Sequence, residues 1–175
     1  MKSSYSFLQK MWKKPKANLR DVLRQRFIDW RQQNTVERIE KPSRLNRARE
    51  LGYKAKLGFV LARVRITKGG RRRRLYGRRG RKPSKSGLVK FTHDKGLQWI
   101  AEERAAKHYP NLEVLNSYLA GDEGVNKYFE IIMVDPQQGS IKKDKNMKWI
   151  ATPANRRRVH RGLTSAGKKA RGLKQ

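Results

Sequence analysis

The sequence contains no cysteine and no long apolar run, and these absences exclude several classes of protein. Without cysteine there is no disulfide framework, no thiolate metal site and no cysteine nucleophile. No stretch approaches the roughly 18 apolar residues that indicate a transmembrane helix. The first residues, MKSSYSFLQKMWKKPK, lack the uninterrupted apolar core of a signal peptide. We therefore expect an intracellular chain.

Carboxylates are also scarce, at 14 Asp plus Glu against 45 Lys plus Arg, which gives a net charge of +31. Residues 68–90 hold eleven Lys or Arg, five Gly and no carboxylate. Such a segment cannot bury enough apolar surface to offset its ordering entropy, so it needs a polyanion. Guanidinium groups match phosphate oxygens, and glycine permits close approach of the backbone. The composition therefore predicts a nucleic-acid partner.

The charge is distributed unevenly, and its distribution suggests how the chain is organised. Residues 94–144 hold nine carboxylates and six Lys or Arg, whereas residues 145–175 hold ten basic groups and no acid. We predict a small core with extensions that depend on a partner. The predicted parts are basic N-terminal helices and a first core strand (1–67), an Arg/Gly-rich RNA-binding loop (68–93), a near-neutral helix–strand–strand part of the core (94–144) and a basic C-terminal extension (145–175).

Capping residues and apolar periodicity predict three helices in the N-terminal part. Ser3 or Ser4 can cap the first, and Pro15 suits the first turn of the second. An apolar stripe along the second helix indicates core packing. A short helix, RLNRAREL, should end at Gly52 in a left-handed cap. The stripe consists of Leu19, Val22, Leu23, Phe27 and Trp30.

The remainder predicts an α+β fold, a small and mostly antiparallel sheet with packed helices, plus long basic extensions that order on RNA. Residues 52–67 read as a strand, Asp94 can cap a helix through about Lys107, and residues 112–119 and 127–135 should form a hairpin. Beyond Pro153 we expect a mostly extended tail, with Trp149 and Ile150 fixing it to the core. The residues expected to be buried are Leu97, Ile100, Val114, Ile132 and Val134.

No motif in the sequence indicates catalysis, a cofactor or a metal site. Residues 162–168 fit G-x-x-x-x-G-K, but Lys169 follows where a P-loop needs Ser or Thr. Glu102 and Glu103 are adjacent and diverge by about 100° on a helix, so they form no acid/base pair. The three histidines share no ligand spacing. His108 is expected in the core, and His93 and His160 should contact solvent or RNA.

Basic residues in every part of the chain except the near-neutral block are the candidate RNA contacts, and Tyr76 could stack on an unpaired base or anchor hydrophobically. The candidates are Arg20, Arg24, Arg31, Arg44, Arg47, Arg49, Lys54, Lys56, Arg63, Arg65, Arg71, Arg72, Arg73, Arg74, Tyr76, Arg78, Arg79, Arg81, Lys82, Lys85, Arg156, Arg157, Arg158, Arg161, Lys168, Lys169 and Arg171.

Several segments resemble the large-subunit ribosomal protein 15e family of archaea and eukaryotes. They are YSFLQKMWKK, RARELGYKAKLGFV, AEERAAKHYPNLEVLNSYLAG, YFEIIMVDP and RGLTSAGKKARGL. The resemblance implies an α+β ribosomal protein in the cytoplasm that binds and stabilises folded large-subunit rRNA. It also implies neighbouring large-subunit proteins as partners, and neither a membrane nor a small-molecule substrate.

Two other functions remain open at the level of sequence. An RNA-modifying enzyme could use the basic arms to hold its substrate, and a chromatin protein could use them to compact DNA. The first would need a cofactor motif or a catalytic constellation. The second would bind duplex DNA as well as it binds folded RNA of equal charge.

Overall fold

The fold is built on a four-stranded antiparallel sheet. A computed structural model describes residues 3–71, 77, 79–82, 85 and 92–173. The spatial order of the strands is β1-β2-β4-β3, and each neighbouring pair is antiparallel. This confirms the predicted α+β class with a small antiparallel sheet. The strands are β1 (Val36–Ile39), β2 (Phe59–Thr67), β3 (Glu113–Glu123) and β4 (Asn126–Val134).

The helices in the described part of the chain follow their capping signals closely at the N-terminus. Ser3 caps the first helix by accepting from the Tyr5 N–H at 3.4 Å, and Gly52 has φ +98° after the fourth. The predicted second helix is divided at Leu19, whose φ of −128° is not helical. The helices are α1 (Ser4–Lys13), α2 (Pro15–Asn18), α3 (Arg20–Gln32), α4 (Leu45–Glu50), α5 (Leu97–His108), α6 (Gly139–Lys142) and α7 (Ser165–Ala170), with 3-10 turns at Lys148–Ala151 and Pro153–Asn155.

The β3–β4 hairpin is confirmed, with strands that extend further than predicted. The connection shortens to Gly124 and Val125, because residues 120–123 continue β3 instead of forming a loop. Bulges near Leu115 and Ala120 each add one residue to β3 and shift its register against β4. Val114, Ile132 and Val134 are fully buried, and Leu97 and Ile100 are partly buried. The short edge strand β1 was not predicted.

Each face of the sheet packs against a different set of helices. Along β2, Ala62, Val64 and Ile66 point into the cluster that also holds Trp99 and Ala105 of α5. Leu61 points to the opposite face, where it packs with Ala48, Tyr118 and Ile132. The predicted strand is therefore confirmed over residues 59–67, and its side chains alternate between the two faces of the sheet. Near the far end of β4, Ile150 packs with Val134 and Ile141, whereas Trp149 is 38% exposed.

Two expectations about α5, the Asp94 cap and the buried His108, are wrong. The helix is capped at Gly96 without a side-chain bond, so Asp94 lies two residues too early to cap it. Glu102 and Glu103 therefore lie in the second turn, beyond the first turn in which acids favour a helix N-terminus. His108 is exposed at the end of the helix, because it does not lie on the buried face of α5. That face holds Trp99 and Glu102.

The expected extended tail is also wrong for the residues described. The C-terminal segment (residues 145–173) folds back in turns and short helices instead. Val159 and Thr164 are almost fully buried, and the Trp99 indole N–H donates to the Val159 carbonyl at 2.8 Å. Periodicity missed this segment because turns bury single residues at irregular intervals.

Candidate nucleic-acid interface

Buried carboxylates of the near-neutral block hold the basic segments against the sheet. Glu130 of β4 is fully buried and accepts from the Ser43 N–H at 3.0 Å and the Ser43 hydroxyl at 2.5 Å. The Tyr118 hydroxyl also donates to it. Ser43 lies directly before Arg44 and α4, so this carboxylate fixes the start of a basic helix from 87 residues away in sequence.

Glu102 has the corresponding role for the C-terminal segment on the opposite face. It is fully buried and accepts from the Ser117 hydroxyl and the Thr164 hydroxyl, both at 2.5 Å. Burial raises the pKa of Glu102 above its ordinary value of 4.5, although both hydrogen bonds and the positive charge of Arg158 oppose the shift. The contact joins α5, β3 and the turn that precedes α7.

The raised pKa of Glu102 predicts a specific pH dependence of stability. Because the pKa of Glu102 is higher in the folded state than in the unfolded state, protonation of Glu102 stabilises the fold. This stabilisation is complete below about pH 4.5 and is lost as pH rises through the folded-state pKa. As pH rises above about 4.5, the parent should therefore lose stability relative to Glu102→Gln. The unfolding free energy of the parent minus that of the variant should fall by at most about 1.4 kcal/mol per pH unit. Urea denaturation from pH 4.5 to 8 measures it.

Glu40→Gln at an exposed carboxylate controls for the lost negative charge. The lowered pKa of Asp144, which hydrogen bonds from Lys56 and Lys54 produce, acts only below the ordinary value of 3.8 and so outside this range. A difference between parent and Glu102→Gln that stays constant from pH 4.5 to 8 would contradict the desolvation of Glu102.

Arg158 is an internal residue of the C-terminal segment. It is 9% exposed, and its Nη1 donates to the carbonyls of Val114 at 2.6 Å and Leu115 at 2.9 Å on the outer strand β3. Its guanidinium also lies 5.1 Å from the centroid of the Trp149 ring. Desolvation lowers the pKa of Arg158, while Glu102 and Glu113 oppose the shift. Sequence reasoning placed Arg158 among the RNA contacts, but its hydrogen bonds are made within the protein.

Other candidate residues also hold the fold together. Lys54 and Lys56 both bind Asp144, at 2.9 and 2.6 Å. The remaining pairs and backbone contacts are Arg31 with Glu123 at 3.2 Å, Arg47 with Glu50 at 2.7 Å, Arg49 with Tyr5, Arg63 with Gln33 at 2.5 Å, Arg65 with the Arg31 carbonyl at 2.5 Å, Arg161 with the Ala154 carbonyl, and Arg171 with the Arg161 carbonyl at 3.4 Å.

The segment that resembles a P-loop forms a tight turn. A Cβ on Gly167 would lie 2.7 Å from the Gly162 Cα, so the two glycines pack against each other. Gly162 also has φ +66°, and Thr164 caps α7 by accepting from the Gly167 N–H at 3.2 Å. The spacing therefore reflects close packing of backbone.

A second group of candidates is exposed and free of carboxylates. Among the residues that the structure describes, Arg20 and Arg24 on α3 have no ion-pair partner, and neither do Lys168 and Lys169 on α7. The further exposed candidates are Arg71, Arg79, Arg81, Lys85, Arg156 and Arg157. Lys82 is also exposed, but it interacts with another group of the protein and does not belong to this second group. Arg72, Arg73, Arg74, Tyr76 and Arg78 lie outside the described residues.

A protein-family model described as Ribosomal L15, of the L15e type, matches residues 3–175. The chain belongs to this family. It is therefore a large-subunit ribosomal protein, and proteins of such families are generally structural rather than enzymatic. This confirms the resemblance. The match covers the buried glutamates Glu102 and Glu130 as well as the basic segments.

Two features of this ribosomal protein were missed by sequence reasoning. The first is a pair of cation–π contacts, in which arginine guanidinium groups lie over tryptophan rings. Arg44 lies 4.6 Å from the Trp12 ring centroid, and Arg63 lies 4.3 Å from that of Trp30. The buried glutamates were also missed, although Glu130 within the apolar run YFEIIMV was an available signal. No helix in the described ranges is long and apolar enough to cross a membrane.

Proposed function

We propose that this ribosomal protein binds and stabilises folded large-subunit rRNA through its exposed basic side chains. The observation that supports this most directly is the division of the cations into two groups. One group is held by carboxylates and carbonyls of the core. The other group faces outward, and within the described part of the chain it has no ion-pair partner. Outward cations without counter-charge repel one another, and phosphate groups would remove that repulsion.

The proposed contact set contains the outward group together with the Arg/Gly-rich loop. Phosphate contacts position a protein without reading bases, so this surface fits the shape of folded RNA rather than a sequence. Arg158 is omitted from the set because it is buried. Neighbouring large-subunit proteins and the cytoplasmic ribosome remain part of the proposal.

The test is the salt dependence of affinity for a folded large-subunit rRNA fragment. Lys168→Gln with Lys169→Gln should flatten the dependence of log affinity on log salt by up to about two ions, since each lost phosphate contact removes slightly less than one released counterion. Lys54→Gln with Lys56→Gln is the matched control, because those ammonium groups already bind Asp144. The control should flatten the slope less.

Equal flattening by both pairs would show that only total charge matters and would contradict the proposed division. Duplex DNA of equal charge is the second comparison. Tighter binding to folded rRNA is expected, and equal affinity for both would favour the chromatin alternative.

A further inference from the structure

A groove of about 430 Å³ lies between the N-terminal helices and the outer strand β3. Its lining includes buried Leu23 and Ala120 and the partly buried rings of Trp12 and Phe27. Five cations also line it, and four of them are exposed and so lie toward its opening. These cations are Lys16, Arg20, Arg24, Arg31 and the partly buried Arg44.

The acidic residues at the groove leave most of these cations without a partner. Glu123 binds Arg31 at 3.2 Å, and Asp122 binds Lys68. Within the described part of the chain, Lys16, Arg20 and Arg24 have no carboxylate partner. The groove therefore combines an apolar interior with an opening where these three cations are unpaired.

Arg44 and Trp12 form a stacked pair in the lining. The Arg44 guanidinium lies over the Trp12 ring, and its Nη1 donates to the Leu119 carbonyl at 3.1 Å. Its Nε is buried and has no hydrogen-bond partner within the described ranges. Burial, followed by the positive charge of Arg47, lowers the pKa of Arg44. A partner with negative charge near Arg44 would relieve both effects.

We propose that this groove holds one unpaired nucleobase of RNA, with the flanking phosphates at Lys16, Arg20 and Arg24. The inference rests on the proposed function and deepens it by assigning a base-binding site. Unpaired bases stack on aromatic rings and guanidinium planes, and the backbone follows cationic side chains. A volume of about 430 Å³ lies within the range of small-ligand sites. An apolar peptide side chain would fill the interior but leave the cations unpaired.

The experiment compares two single-stranded oligomers that carry the same number of phosphates. One is a uridine octamer, and the other is an abasic ribose–phosphate octamer. Counterion release is the same for both, so the ratio of their dissociation constants reports base contacts alone. Trp12→Ala in the full chain should lower this ratio by about fivefold to a hundredfold, since stacking of a base is worth that range of affinity.

Trp149→Ala is the matched control, because the Trp149 ring also lies beneath an arginine guanidinium but does not line the groove. It should change the ratio far less than Trp12→Ala. Arg20→Gln with Arg24→Gln should weaken both octamers equally and leave the ratio unchanged. This division separates the phosphate contacts from the base contact.

The possible outcomes distinguish the two proposals. If Trp12→Ala leaves the ratio unchanged while the parent still binds folded rRNA, the base site is overturned and the groove is better explained as a protein contact. If the parent binds neither octamer nor folded rRNA, the proposed function fails. If Trp12→Ala does not fold, photocrosslinking of a 4-thiouridine octamer to the parent decides: crosslinks in α1 or α3 support the site, and crosslinks only elsewhere overturn it.

Discussion

Arg158→Ala is expected to lower the free energy of unfolding by about 3–5 kcal/mol, the range for breaking a buried charged network. The substitution removes the donors to the Val114 and Leu115 carbonyls and leaves Glu102 and Glu113 without their nearby cation. It also removes the residue that holds the C-terminal segment to the outer strand. Urea denaturation followed by tryptophan fluorescence measures the change.

Arg156→Ala is the matched control for this prediction. Arg156 is exposed and lies two residues away, so its loss should change the stability by no more than about 0.5 kcal/mol. Equal stability of the two variants would return Arg158 to the set of surface contacts. A loss of rRNA affinity with unchanged stability would have the same meaning.

Glu130→Ala should also destabilise the protein by about 3–5 kcal/mol, because the donors it leaves behind are buried or partly buried. The Ser43 N–H, the Ser43 hydroxyl and the Tyr118 hydroxyl would lose their acceptor. Burial and the Glu130 charge raise the pKa of Tyr118 above its ordinary value of 10, so the phenol keeps the proton that it donates. Thermal and urea unfolding at neutral pH give the size of the effect.

Glu40→Ala is the control, since it removes an exposed carboxylate and the same negative charge. Amide exchange locates the loss. Protection should fall first in α4, which Ser43 precedes. If Glu130→Ala unfolds at the same urea concentration as Glu40→Ala, the network contributes nothing to stability.

Much of the fold was predictable because its signals are local. In β2 and in the β3–β4 hairpin, successive side chains point to opposite faces of the sheet, and this leaves an alternating pattern in the sequence. Ser3 and Gly52 mark helix ends because their chemistry acts within a few residues. The division at Leu19 and the short strand β1 were not predicted. The strand depends on a contact with a distant part of the chain, since β1 pairs with β2.

The candidate site was predictable in kind but not in detail. Composition alone separates a polyanion-binding chain from most enzymes, and the Arg/Gly-rich loop needs no tertiary information to predict such a partner. The sequence does not distinguish Arg158 from Arg156, because both lie in the same basic run. Only one of them meets carbonyls of β3 and two nearby glutamates.

The sequence by itself determined the charge, the sheet-forming pattern and the family of this ribosomal protein. Only the tertiary structure decided which cations are internal and which remain outward. The cost of burying a charge depends on the partners that surround it, and here those partners are far away in sequence. Thr164 reaches Glu102 across 62 residues, and Ser43 reaches Glu130 across 87. The local sequence pattern contains no information about either of these hydrogen bonds.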